Sequence, residues 1–93
     1  MAKRYLSPAY RDGATMLAAK IQEWRADPQH NYPHQTAAKI REAAASLHGA
    51  ECAGFEDALV LLFHMFAFEG GGPNFDTWDP VKELEDPDYW LFD

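Results

Sequence analysis

The chain has 93 residues, 47% of them apolar, with 15 acids against 8 bases for a formal charge of −7. That length suits one domain with one modest core, and the apolar share suits a folded chain rather than a disordered one. The acidic balance argues against a nucleic acid backbone as a direct partner, because phosphate binding needs clustered Lys and Arg. It argues against an anionic membrane surface on the same ground.

The charge is unevenly spread. Residues 69–93 carry eight acids (Glu69, Asp76, Asp79, Glu83, Glu85, Asp86, Asp88, Asp93) and one base, Lys82, which accounts for the whole net charge. Within the same stretch lie Phe75, Trp78, Tyr89, Trp90 and Phe92. Cys52 is the sole cysteine, so no internal disulfide can form. No apolar run reaches the ~18 residues of a bilayer span, and the first residues lack the apolar core of a signal peptide. A cytoplasmic location is the expectation.

Taken in order, the first helix is predicted over about residues 8–26. Ser7 is placed to cap it and Pro8 suits its first position, where a missing N–H costs nothing. Tyr10, Ala14, Leu17, Ile21 and Trp24 then recur at helical steps of four and three. Gly13 interrupts this pattern at an expected cost of about 1 kcal/mol relative to Ala. Pro28 ends the helix.

The second helix is predicted over about 33–48, with Ala37, Ile40, Ala44 and Leu47 as its stripe and Gly49 as a left-handed cap. A short loop before it favours antiparallel packing on the first helix. The third is predicted over about 55–69. Between Ala58 and Phe68 only His64 is polar. The one strip left for water is expected to be Asp57, Leu61, His64 and Phe68, so such a helix needs cover on its other sides. The glycines at 70–72 and Pro73 then break regular structure. Asp79–Pro80 and Asp86–Pro87 each read as a capping acid before a first-turn proline. The expected fold is all-α: a compact three-helix bundle in which an irregular, acidic and aromatic C-terminal segment (70–93) packs over the central third helix, the whole chain forming one domain.

Candidate chemistry is sparse. His30 and His34, and His48 and Cys52, have four-residue spacing, but each pair straddles a helix end, so neither presents two ligands on one helical face. No metal site or cofactor is expected. His64 reads as a core-edge histidine bonded to a carbonyl or a tail acid. A catalytic role for it would need an acid partner and a pocket. No nucleophile elbow, phosphate loop or zinc-protease motif is present. A helix-turn-helix reading fails because the third helix opens with Glu56 and Asp57 and continues apolar.

The expectation is therefore a small acidic protein, not an enzyme, that binds and blocks a protein with a basic surface. Class analogy by size and charge points to phage-type inhibitors of host defence, anti-CRISPR-like proteins among them, or to antitoxin and immunity proteins. The candidate contacts are Asp76, Asp79, Glu83, Glu85, Asp86 and Asp88, with Phe75, Trp78 and Trp90 as anchors. The alternative is an adaptor subunit that dimerises through Phe63, Met65, Phe66 and Phe68; the expected state is monomer or homodimer.

Overall fold

The computed structural model describes residues 5–26 and 33–86. All regular structure among them is helical: α1 (Pro8–Ala26), α2 (Pro33–Ala45), α3 (Gly49–Phe68) and the short α4 (Pro80–Leu84). The start of α1 follows its sequence signals. The Ser7 hydroxyl accepts from the Tyr10 N–H at 3.2 Å, and the Ser7 carbonyl accepts from Arg11 at 3.0 Å. The inner face of α1 buries Ala14, Leu17, Ala18, Ile21 and Trp24.

The predicted boundary between the second and third helices is moved. α2 ends at Ala45, not 48, in tight turns from Ser46 to Ala43 O and from Leu47 to Ala44 O. His48 is extended, and α3 begins at Gly49 rather than 55. Gly49 does hold the positive φ expected of it, +62°, but at the entry to α3. Residues 50–53 (Ala, Glu, Cys, Ala) then run as helix straight through Gly54. That glycine is tolerated mid-helix because α1 crosses there. An added Cβ on Gly54 would lie 1.9 Å from the Tyr10 carbonyl oxygen, and one on Gly13 would lie 1.9 Å from the Glu51 carbonyl oxygen. The two glycines face each other's backbones reciprocally. Gly13, weighed in the sequence as a small penalty, is instead required by the crossing.

α1 and α3 make the most extensive packing in the fold, and α4 rests against both. α2 packs more lightly, through Ile40, Ala43 and Ala44, with buried Leu47 just beyond it. The centre of the core is Leu17, Phe55, Leu61 and Leu84, all 0% exposed. At the C-terminal end of α3, the N–H groups of Glu69 and Gly71 both donate to Met65 O, at 3.1 and 3.3 Å. Gly70 at φ +82° makes that reversal possible. Asp79 then caps α4, its carboxylate accepting from the Val81 N–H at 3.1 Å with Pro80 in the first turn.

Gly13→Ala or Gly54→Ala is expected to destabilise at or beyond the top of the ~1–3 kcal/mol range of overpacked cores, since backbone must move to admit the methyl. Gly71→Ala, which meets nothing within 4 Å, is expected to fall within about 0.5 kcal/mol of the natural chain. Urea midpoints for the three variants check this.

Candidate protein-docking surface

The rotation of α3 follows from the glycine crossing. With Gly54 and Ala58 against α1 and Leu61 buried below them, the opposite face carries Ala53, Glu56, Val60, Phe63 and Ala67, all exposed. At about 100° per residue these five positions lie half a turn from the buried ones. Val60 is 41% exposed, Phe63 68% and Phe68 74%; Phe66, beside them, is 54% exposed. Of the strip expected to face water, Phe68 alone is exposed. Leu61 is fully buried, and Asp57 is half-buried, accepting from the Tyr10 hydroxyl at 2.5 Å. His64 is half-buried, 3.7 Å from the Glu69 carboxylate and 5.3 Å from the Phe68 ring centre.

An aromatic row joins this face to the acidic segment. The Phe66 ring stacks at 6.4 Å on Phe75, whose other neighbour is the edge of Trp78 at 6.1 Å. Gln22 Nε2 donates to the Phe75 carbonyl at 2.6 Å, and the Arg25 guanidinium lies 5.0 Å from the centre of the Phe75 ring. Phe75 is thus held from α1, and both Phe75 and Trp78 are half-buried against the core, as is Val81.

The acids named from sequence occupy different environments. Asp76, Asp79 and Asp86 are exposed, Asp76 3.9 Å from Arg25 and Asp79 engaged as the α4 cap. Glu83 is half-buried and accepts from the Trp78 indole N–H at 3.2 Å. Its pKa is raised, first by desolvation and further by the nearby charges of Glu69 and Asp79, with the Trp78 bond opposing. Glu85 is turned inward, 8% exposed, in a 2.9 Å ion pair with Arg11, whose Nε also donates to Leu6 O at 3.2 Å. Burial keeps Glu85 from a partner's reach. Asp88 and Trp90 lie outside the described residues.

Other groups with potential chemistry are engaged or scattered. The half-buried Cys52 thiol donates to Glu56 Oε1 at 3.5 Å. Desolvation, with Glu56 adding to it, holds the thiol above its ordinary pKa, so it is a poor nucleophile. No group of three or more His, Cys, Asp or Glu among the described residues is placed to hold a metal, and none of the described helices is long and apolar enough to cross a membrane. An open cleft of about 430 Å³ lies between α1 and α2, floored by Met16 and Trp24 and rimmed by Lys20, Lys39, Glu23 and Glu42. Its rim mixes both signs of charge and converges on no reacting position.

The sequence-named residues thus separate. Phe75, Trp78, Asp76 and Glu83 come together beside α3, whereas Glu85 serves the core. Val60, missed from sequence, was marked by the three–four spacing of Ala53, Glu56, Val60, Phe63 and Ala67. That stripe was masked because its neighbours are apolar too. Comparison with protein-family models, curated proteins and solved structures finds no match to this chain.

Because folding raises the Glu83 pKa, the native state binds its proton more tightly than the unfolded chain. Stability therefore falls as pH rises from the ordinary carboxyl value of 4.5 through the raised one. Glu83→Gln keeps an acceptor for Trp78 and removes that loss. Its melting temperature is expected to exceed that of the natural chain at pH 7 and to converge with it near pH 4, read by thermal denaturation.

Proposed function

We propose that this chain is a small acidic, non-enzymatic protein that binds another protein and blocks a basic surface on it. The observation that supports this reading is the exposed apolar face of α3, a helix that carries acids and no Lys or Arg. From Glu42 to Val81 the sequence contains no Lys or Arg, while Glu51, Glu56, Asp57, Glu69, Asp76 and Asp79 fall in that interval. Large apolar side chains on a helix that carries acids and no Lys or Arg favour a partner of the opposite sign. A non-enzymatic role is supported by the acids' existing engagements: Glu85 with Arg11, Glu83 with Trp78, Asp57 with Tyr10, and Asp79 as a cap. A blocker of a nucleic-acid-binding site fits this chemistry, its carboxylates standing where phosphates would. Host-defence inhibitors of the anti-CRISPR kind share the size and charge, as an analogy of class.

A second reading, a subunit that dimerises through α3, draws on the exposure of Phe63, Phe66 and Phe68. Met65, expected at that interface, is half-buried and packs against the core instead.

Tagged protein in lysate of its native host is expected to retain a basic protein at low salt and to release it as salt rises, because exposed charges are screened over ~8–10 Å at ordinary ionic strength. The Glu69→Lys/Asp76→Lys/Asp86→Lys variant, altered only at exposed positions, is expected to keep its helical circular dichroism and lose the retained protein. Undiminished retention by that variant would remove the basic-surface reading.

A further inference from the structure

The α3 face has a shape as well as a composition. Ala53, Glu56, Val60, Phe63 and Ala67 alternate steps of three and four, the spacing of a coiled-coil seam, and all are exposed. At 1.5 Å per residue the seam is about 20 Å long. Taking about 200 Å² for a whole Phe side chain, Val60, Phe63 and the neighbouring Phe66 together expose on the order of 300 Å². That is more than a third of one side of a standard interface, which is about 800 Å².

We infer that this seam seats one amphipathic helix of a partner protein, its apolar stripe on Val60, Phe63 and Ala67 and its flanking Lys and Arg side chains beside Glu56 and Glu69. This rests on the proposed reading of the chain as a binder of basic proteins and names the element that it binds. Charge selects the occupant. α3 itself has no Lys or Arg, whereas Glu56 interrupts the seam and Glu69 closes it, both exposed. A second copy would bring the same carboxylates and no cation on its own α3 to pair with them. A basic helix brings both parts, a hydrophobic stripe to cover Phe63 and cations to meet the acids. The row from Phe66 through Phe75 to Trp78 offers ring faces beside the seam, and Phe75 already carries Arg25 in that manner.

The test uses a fluorescent 18-residue helical peptide, Leu at three–four spacing and Lys elsewhere, with a twin in which Glu replaces Lys. Fluorescence anisotropy with the full chain is read at about 0.15 M salt, where the Debye length is ~8 Å. The Lys peptide is expected to bind at least tenfold more tightly than its twin, and at least tenfold more weakly to Phe63→Ser or Val60→Ser. Both substitutions lie on the exposed face and spare the core. Equal binding of the two peptides, or none, overturns the inference. Binding unchanged by Phe63→Ser but lost in Glu69→Lys/Asp76→Lys/Asp86→Lys overturns the seat on α3 and leaves the basic-surface reading standing. A dimer in sedimentation that Phe63→Ser dissociates gives the seam to a second copy. Binding by Tyr89→Ser/Trp90→Ser and not by the natural chain gives it to the chain's own last residues. Either result overturns the inference.

Discussion

The fold depends on the contact of two helix backbones at Gly13 and Gly54. Each glycine sits where a methyl would collide with a carbonyl of the other helix, so the axes approach as closely as backbones allow. Ala14 and Ala58, both 0% exposed, extend the same small-residue contact. Close approach also decides rotation. Once Gly54 must face α1, helical geometry places Ala58 and Leu61 inward and Val60 and Phe63 outward. The fully buried Phe55, Leu17 and Leu84 then fill the space on the flanks of the crossing.

That rotation explains why so apolar a helix keeps one face uncovered. Residues 58–68 offer more apolar side chains than α1, α2 and α4 can cover. α1 takes the glycine face, and α4, capped by Asp79 and anchored by buried Pro80 and Leu84, takes an adjoining flank. α2 contributes mainly through its last turns and leaves the cleft beside Trp24 open. The side remaining carries Val60 and Phe63, with Phe66 beside them, all more exposed than a core needs. Among the described residues, the acidic segment meets α3 through the contact of Phe75 with Phe66, and Phe63 is 68% exposed.

The acids divide by the same logic of place. Glu85 follows the last residue of α4 and is drawn against α1, where Arg11 offsets much of the cost of burying it. Glu83, two residues back and bonded to Trp78, is half-buried and crowded by Glu69 and Asp79, which raises its pKa. Asp76 and Asp86 stay in water. A run of carboxylates that reads as one surface in sequence is thus part core, part cap and part solvent-exposed surface.

Much was legible without coordinates. Ser7–Pro8 and Asp79–Pro80 announce helix starts because a cap and a proline act within four residues, and both operate as read. The period of Ala14, Leu17, Ile21 and Trp24 gave the inner face of α1 for the same local reason, and all four are buried. Periodicity and caps pointed to a helical chain, and the distribution of charge and aromatics to its acidic, aromatic end. The tertiary structure alone decided the start of α3 at Gly49, the value of Gly13 and Gly54, the inward turn of Glu85 and the outward turn of Phe63. These depend on which helix lies opposite. A glycine's missing side chain is a cost in an isolated helix and a necessity at a crossing, and a uniformly apolar helix has no periodicity to say which side faces water.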